Sequence, residues 1–238
     1  MFLDKNDTLG LSLNGSYEEF ETEIVQKEIK RGDVVLDIGA NIGYYTLIFA
    51  RLVGEKGMVF AFEPDPTNFA LLKKNVEMNG YKNVVLVSKA VSDKSGTVRL
   101  YLCEENKGDH RIYNSGDERD ILDVECIRLD DYFDKNQHLD FIKMDIQGAE
   151  GLALQGMQEL LKRNDSVKII TEFWPIGLKR SGISTKTVLT FLRDLGFSLY
   201  ELDENTKQLD PVNITALLKN YTAQDERYTS LFCVKGSS

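Results

Sequence analysis

Acidic residues and glycines stand together at the ends of short apolar runs in this chain of 238 residues. Asp37 precedes the turn at 39–43, Glu63 follows one apolar run, and Asp145 ends another. A carboxylate at a strand end can accept both hydroxyls of a ribose, and glycine lets the backbone approach a ligand closely. The carboxylate before the turn would repel a diphosphate and attract a cationic ligand. These residues predict a site for a nucleoside cofactor that carries positive charge.

The turn itself distinguishes between nucleotide cofactors. Its sequence, Asp37-Ile38-Gly39-Ala40-Asn41-Ile42-Gly43, has the pattern D-x-G-x-N-x-G. The pattern G-x-G-x-x-G, which binds the pyrophosphate of a dinucleotide, does not occur there. An NAD-dependent dehydrogenase is therefore disfavoured.

Alternating strands and helices are predicted to position these residues. Short apolar runs indicate strands that are buried on both faces, as in parallel sheets. Seven core strands are predicted, at 34–38, 58–62, 83–87, 141–145, 167–171, 197–202 and 230–234. Helices with one apolar face are predicted at 17–30, 44–52, 66–79, 150–161 and 185–195. This alternation specifies an α/β fold with a doubly wound, mostly parallel sheet.

The regular alternation fails between residues 96 and 140. Segments 97–102 and 122–129 are predicted to form antiparallel strands around a polar stretch. We interpret 96–140 as a β insertion between the third and fourth core strands, with a loop that covers the site. Residues 1–31 are interpreted as an N-terminal helical segment, and 1–238 as a single domain.

Further motifs connect these features to a known family. The segments that carry the resemblance are Asp37-Ile38-Gly39-Ala40-Asn41-Ile42-Gly43-Tyr44-Tyr45-Thr46, Phe62-Glu63-Pro64-Asp65-Pro66, Asn75 with Asn79, Ala90-Val91-Ser92-Asp93, and Lys143-Met144-Asp145-Ile146-Gln147-Gly148-Ala149-Glu150. Together they resemble the FkbM family of class I S-adenosylmethionine-dependent methyltransferases. The resemblance implies a seven-stranded, Rossmann-like methyltransferase sheet. Gln147 departs from the family motif, which usually has Glu at that position.

The resemblance also implies S-adenosylmethionine as the cofactor and assigns residues to it. Asp37 would line the methionine side, Glu63 would hold the ribose, and Pro64 with segment 88–92 would flank the adenine. Asp145 would lie near the transferable methyl group and the acceptor. The complete set of expected cofactor-binding residues is Asp37, Gly39, Ala40, Asn41, Gly43, Tyr44, Glu63, Pro64, Ala90, Val91 and Asp145.

Methyl transfer to a hydroxyl also removes a proton, and a carboxylate or an imidazole is a suitable base. Asp145, His110 and Glu172 are the predicted catalytic residues, and Glu150 is a further candidate base. Asp145, Glu150 and Glu172 could instead hold a divalent ion that orients a vicinal hydroxyl pair. The sequence has no recognisable metal motif, so no metal is predicted.

The composition of the chain disfavours some classes of binding partner. The formal net charge is −9, and no block of lysine or arginine offsets it, so nucleic acid is disfavoured as a partner. No apolar stretch approaches the length of a membrane helix, and the widely spaced cysteines favour a reducing cytoplasm. We therefore expect O-methylation of a small-molecule or glycan acceptor. The alternatives are RNA or protein methylation on the same fold, and a nucleoside-binding module without catalysis. The oligomeric state stays open.

Overall fold

The computed structural model describes residues 1–5, 7, 9–14 and 17–236. Its helices are α1 (Leu11–Asn14), α2 (Glu19–Glu28), α3 (Tyr44–Val53), α4 (Pro66–Met78), α5 (Leu129–Tyr132), α6 (Glu150–Gly156), α7 (Gln158–Arg163), α8 (Pro175–Arg180), α9 (Thr185–Asp194) and α10 (Ile214–Asn220). Its strands are β1 (Val34–Ile38), β2 (Met58–Phe62), β3 (Val84–Val87), β4 (Ala90–Val91), β5 (Gly96–Leu102), β6 (Asp120–Ile127), β7 (Phe141–Met144), β8 (Lys168–Phe173), β9 (Phe197–Asp203), β10 (Gln208–Pro211) and β11 (Thr229–Lys235).

The larger sheet contains eight strands in the order β10-β9-β11-β8-β7-β1-β2-β3. Strands β3, β2, β1, β7 and β8 pair in parallel, whereas β11, β9 and β10 join through antiparallel pairings. The predicted doubly wound, mostly parallel α/β fold is confirmed, with one strand more than predicted. The strand order reverses between β1 and β7, and ligands of such sheets bind there, beyond the carboxyl ends of the strands.

The additional strand, β10, lies at the edge of the larger sheet. Its four residues are all exposed. It pairs with β9 across a turn in which Lys207 adopts a positive φ of 51°. An exposed segment of this kind lacks the apolar pattern from which a strand is predicted.

Apolar layers cover both faces of the larger sheet, and they hold its central strands in place. On one face, Val35 and Phe141 pack with residues of α2 and α3, including Phe20 and Phe49. On the other face, the neighbouring strand residues pack with α6, α7 and α9. The alternation of inward and outward side chains along each strand thus buries both faces, as the continuous apolar runs predict.

Most predicted elements differ from the observed ones by one or two residues at an end, and two further differences have an identifiable structural cause. The helix predicted over 150–161 divides at Met157, whose φ is −121° and ψ is 19°. A side chain on the preceding Gly156 would place its Cβ 2.0 Å from the carbonyl oxygen of Ser92, so α6 ends in close contact with backbone. The strand predicted over 122–129 ends earlier, because the buried Leu129 begins α5.

The predicted insertion forms a small second sheet with the order β4-β6-β5. Strands β5 and β6 are antiparallel, as predicted, and β4 joins them in parallel with β6. The segment between β5 and β6 returns toward the larger sheet, where the amide of Asn68 donates to the carbonyl oxygen of Lys107 at 2.9 Å. Among the described residues, no helix has the length and apolar character needed to cross a bilayer.

Candidate active site

A cavity opens at the carboxyl ends of β1, β2 and β7, beneath the segment that connects β5 and β6. All of the predicted cofactor-binding residues except Gly43 line it. The insertion contributes Leu100, Asn106, Lys107, Gly108, His110 and Ile112 to the lining, and Tyr17 comes from the segment before α2. Gly43 lies just outside the lining and adopts a positive φ of 95° where α3 begins. The structure thus brings the ends of three strands and the insertion around one cavity.

Gly39 determines how closely the ends of the strands approach one another. Its φ is 85°, and a Cβ at this position would lie 2.0 Å from the carbonyl oxygen of Asp145. The N–H groups of Gly39 and Ala40 both donate to the carbonyl oxygen of Phe62, at 3.0 Å. A residue with a side chain would separate β1 from β7, so only glycine fits this turn.

Glu63 is buried at the end of β2, with 5% of its surface exposed. One of its carboxylate oxygens accepts the N–H of Asn41 and the other accepts the N–H of Asp65, both at 2.9 Å. Asn41 reaches this position in a left-handed conformation, with a φ of 49°. Burial raises the pKa of Glu63 to about 8. Each oxygen keeps further acceptor capacity, so this fixed carboxylate can receive hydroxyl donors from a ligand.

Asp37 is also buried, with 2% of its surface exposed. Its carboxylate accepts a short hydrogen bond from the hydroxyl of Thr46 in α3. Burial raises the pKa of Asp37 to about 6. The contact with Thr46 could not be predicted from the sequence, because it joins a strand to the following helix through tertiary packing.

Lys143 is a site residue that sequence reasoning missed. It lines the cavity from β7, and its ammonium group lies 3.0 Å from Glu21 and 3.5 Å from Glu18. Burial opposes its charge, but the two carboxylates raise the pKa of Lys143 well above its ordinary value. A charged residue inside an otherwise apolar strand was the available signal, since a buried lysine needs a partner.

The turn after β7 holds two more acids in fixed positions. Asp145 is half-buried, and one of its oxygens accepts the side-chain amide of Gln147 at 2.8 Å. Glu150 uses one oxygen to accept the N–H groups of Ile146 at 3.0 Å and Gly148 at 3.2 Å. Burial raises the pKa of Glu150 to about 7. The turn therefore directs both carboxylates toward the same edge of the sheet.

Glu172 stands on β8, next to β7, and does not line the cavity. One carboxylate oxygen from each of Asp145, Glu150 and Glu172 can be chosen so that all three lie within 4.8 Å of one another. Burial raises the pKa of Glu172 well above its ordinary value, and the neighbouring Asp145 and Glu150 add to the shift. The structure thus places Glu172 beside Asp145, but behind the surface that a cofactor would contact.

His110 lines the opposite, insertion-covered part of the cavity. Its Nδ1 accepts the backbone N–H of Cys103 at 3.0 Å. In the neutral ring Nε2 therefore carries the proton, and this buried nitrogen has no hydrogen-bond partner among the residues described. Burial lowers the pKa of His110, which favours the neutral ring. The hydrogen bond at Nδ1 favours a donor role over the base role predicted from the sequence.

Solved structures with a similar fold include a SAM-dependent methyltransferase and a protein in complex with SAH. A SAM-dependent methyltransferase from Aquifex aeolicus superposes with a TM-score of 0.51 at 19% identity, over 98% of this chain and 100% of that one. SMU.1697c from Streptococcus mutans, solved in complex with SAH, superposes with a TM-score of 0.53 at 12% identity, over 91% of this chain and 96% of that one. At these identities the likeness establishes the fold.

Sequence similarity establishes the family. The family described as "Methyltransferase FkbM domain" matches residues 37–199, and the chain belongs to this family of methyltransferases. The 2-O-methyltransferase NoeI of Sinorhizobium fredii is 29% identical over 188 residues, which cover 71% of this chain and 75% of NoeI. The 31-O-demethyl-FK506 methyltransferase FkbM of Streptomyces tacrolimicus is 42% identical over 73 residues, which cover 31% of this chain and 27% of that protein.

Proposed function

We propose that this chain transfers the methyl group of S-adenosylmethionine to a hydroxyl group of a small-molecule or glycan acceptor. The observation that carries the proposal is the order of groups around one cavity. A buried carboxylate, Glu63, stands at the end of β2, a glycine turn at the end of β1, and Asp145 at the end of β7. The names of the relatives NoeI and FkbM, both of which specify methylation at oxygen, support a hydroxyl as the acceptor.

The cofactor fits this cavity on observations from the chain itself. Glu63 offers fixed oxygens to the hydroxyls of the ribose, and the turn at Gly39 lines the cavity beside Asp37, where the methionine portion would lie. Ala90 and Val91, which line the same cavity, would contact the adenine. Nε2 of His110 supplies an unpartnered donor in the part of the cavity that the insertion covers.

When bound, the cofactor supplies an electrophilic methyl group on a positively charged sulfur. The residues of the chain align the acceptor oxygen with that methyl group and exclude water from the cavity. When the acceptor oxygen receives the methyl group, a carboxylate of the chain would accept the hydroxyl proton. Asp145 is the base we assign, since it lines the cavity while Glu172 lies behind it.

Calorimetry with S-adenosylhomocysteine tests the cofactor half of the proposal, with NAD as the matched comparison. We expect binding of the nucleoside product and no binding of NAD. Binding of NAD alone would contradict the proposal.

A screen of hydroxylated acceptors tests the acceptor half. Conversion of the S-adenosylhomocysteine product to homocysteine gives the readout. We expect turnover with small hydroxylated molecules or glycans, and no turnover with RNA or peptides. Tight binding of the nucleoside without transfer to any acceptor would indicate a binding module without catalysis.

A further inference from the structure

Three carboxylates converge beside the cavity, where Asp145 lines it. Asp145 follows β7, Glu150 begins α6, and Glu172 stands near the end of β8. One oxygen from each can be chosen so that the three lie within 4.8 Å of one another. Metal–oxygen distances of about 2.1–2.4 Å separate two ligands on opposite sides of one cation by about 4.2–4.8 Å. The three oxygens therefore fit around a single small cation.

Two of these carboxylates have a buried oxygen without a hydrogen bond. Glu150 has 1% of its surface exposed. Within the described part of the chain, Oε2 of Glu150 and Oε2 of Glu172 are buried and have no hydrogen-bond partner. A buried, unsatisfied carboxylate oxygen is costly. Both oxygens thus lack a partner that the protein would be expected to provide.

The neighbouring cations are paired with other acids. Lys143 forms ion pairs with Glu21 and Glu18, and Arg111 forms one with Asp109. In the described ranges, no ion pair within 4.0 Å includes Asp145, Glu150 or Glu172. The positive charge that these three acids require is therefore not supplied by an arginine, lysine or histidine in direct contact.

The carboxylates are nevertheless held in place by hydrogen bonds on their other oxygens. Backbone N–H groups of Ile146 and Gly148 fix Oε1 of Glu150, and the amide of Gln147 fixes Oδ1 of Asp145. These hydrogen bonds fix the orientation of both carboxylates and leave the second oxygen of each free to bind a cation. An all-oxygen ligand set of this type suits Mg²⁺, Mn²⁺ or Ca²⁺ in preference to softer metals.

We propose that Asp145, Glu150 and Glu172 bind one divalent cation, and that this cation holds a pair of neighbouring hydroxyl groups of the acceptor. The role toward the acceptor rests on the proposed methyl transfer, whereas cation binding does not. Open coordination positions of the cation would face the cavity through Asp145, which lines it. A hydroxyl bound to a cation loses its proton more easily. A weakly basic carboxylate beside the cation can therefore accept that proton.

Manganese binding to the 238-residue chain, stripped of metal with a chelator and then dialysed, tests the inference. Electron paramagnetic resonance would follow free Mn²⁺ during the titration, with Mg²⁺ as a competitor. We expect one Mn²⁺ per chain, with affinity at least about tenfold weaker in Glu172→Gln. The control Glu55→Gln removes an exposed acid from the loop before β2, at the amino ends of the parallel strands, and should bind Mn²⁺ like the unmodified protein.

Circular dichroism and a thermal melt would verify that Glu172→Gln folds, and Glu150→Gln provides a second variant if it does not. Equal Mn²⁺ affinity in Glu172→Gln and Glu55→Gln, or the absence of stoichiometric binding, would overturn the cation site. Calorimetry with S-adenosylhomocysteine in the presence of chelator separates the two proposals. Nucleoside binding without Mn²⁺ binding refutes the cation site alone, and Mn²⁺ binding without nucleoside binding refutes the proposed cofactor alone.

Discussion

Two groups of acids lie at the carboxyl ends of the strands, one lining the cavity and one beside it, and the groups differ in their hydrogen-bond partners. Asp37 and Glu63 accept hydrogen bonds from Thr46, Asn41 and Asp65. Glu150 and Glu172 each retain a buried oxygen that has no partner in the described residues. Burial raises the pKa of all four carboxyls. Glu150 is as buried as Asp37 and Glu63, so the difference between these residues lies in their hydrogen-bond partners.

This contrast assigns different tasks to the two sides. A carboxylate whose oxygens are fixed by the chain can accept additional hydroxyl donors without changing position, as ribose recognition requires. A carboxylate with an orphan oxygen needs a positive or donating partner from outside the chain. We infer that the first side serves the cofactor and the second serves the acceptor, and each substitution below affects one side more than the other.

The largest expected effect comes from Asp145→Asn. Loss of the base should lower the turnover number by at least about 100-fold, whereas the affinity for S-adenosylhomocysteine should change by less than roughly threefold. Steady-state kinetics and calorimetry measure the two quantities. Asp194→Asn, which neutralises an exposed acid at the end of α9, is the matched control. Full activity in Asp145→Asn would mean that the base lies elsewhere.

Glu63→Gln should mainly lower the affinity for S-adenosylhomocysteine, in contrast to Asp145→Asn, which should mainly lower the turnover number. Replacement of one carboxyl oxygen by an amide nitrogen, which cannot accept a ribose hydroxyl, should weaken S-adenosylhomocysteine binding at least about tenfold, or roughly 1.4 kcal/mol. The amide keeps the size of the side chain, so the fold should be retained. Calorimetry on this variant and on Glu55→Gln provides the comparison. Unchanged affinity would remove the basis for assigning this side of the cavity to the cofactor.

The pH dependence of stability should distinguish the two sides when cations are added. A buried acid with a raised pKa binds more protons in the folded state, so stability falls as pH rises from its unfolded value through its folded pKa. For Glu63 and Glu150 the folded values are about 8 and about 7. The chain without ligands should therefore lose stability between roughly pH 5 and pH 8.

Magnesium should restore part of the stability lost at higher pH, because it would neutralise the negative charge of Asp145, Glu150 and Glu172. At pH 8 we expect Mg²⁺ to raise the melting temperature by about 2–4 °C, equivalent to about 1 kcal/mol. The rise should be smaller at pH 5.5, where more of the cluster is protonated, and smaller in Glu172→Gln. Scanning calorimetry at both pH values measures the shifts. An equal rise at both pH values would contradict a charge-based effect at the cluster.

The smallest effect is expected from His110→Phe. Loss of one donor to the cofactor should weaken S-adenosylhomocysteine binding by about threefold to tenfold, with the turnover number at saturation largely retained. His138→Phe is the control, since His138 is exposed and paired with Asp140. A collapse of turnover in His110→Phe, with affinity unchanged, would support the base role predicted from the sequence instead.

The central strands could be predicted from sequence because their physical signal is local. Continuous apolar runs such as 34–38 and 58–62 occur only where both faces of a strand are buried, and the capping residue Asp65 with Pro66 marks the start of α4. Elements without such signals were missed. Strand β10 is exposed and polar, and β4, two residues long, is defined by its pairing with β6.

The same distinction applies to the site. The positions of Asp37, Gly39 and Glu63 follow from the rule that strand ends in parallel sheets meet at one edge, and all three line the cavity. The pairing of Lys143 with Glu21 joins residues far apart in the chain, and no local pattern encodes it. The tautomer of His110 likewise depends on a hydrogen bond from Cys103, which sequence alone does not reveal.

The contact of Gly39 with the carbonyl oxygen of Asp145 has a consequence for how such an enzyme could change its substrate. The cofactor turn and the acceptor-side acid touch through backbone atoms, with no side chain between them. The distance between the cofactor and the acceptor would therefore be set by the pairing of β1 with β7, and substitution of side chains would change it little. Adaptation to larger or smaller acceptors would have to occur in the β insertion that lines the cavity, while the reaction distance stays constant.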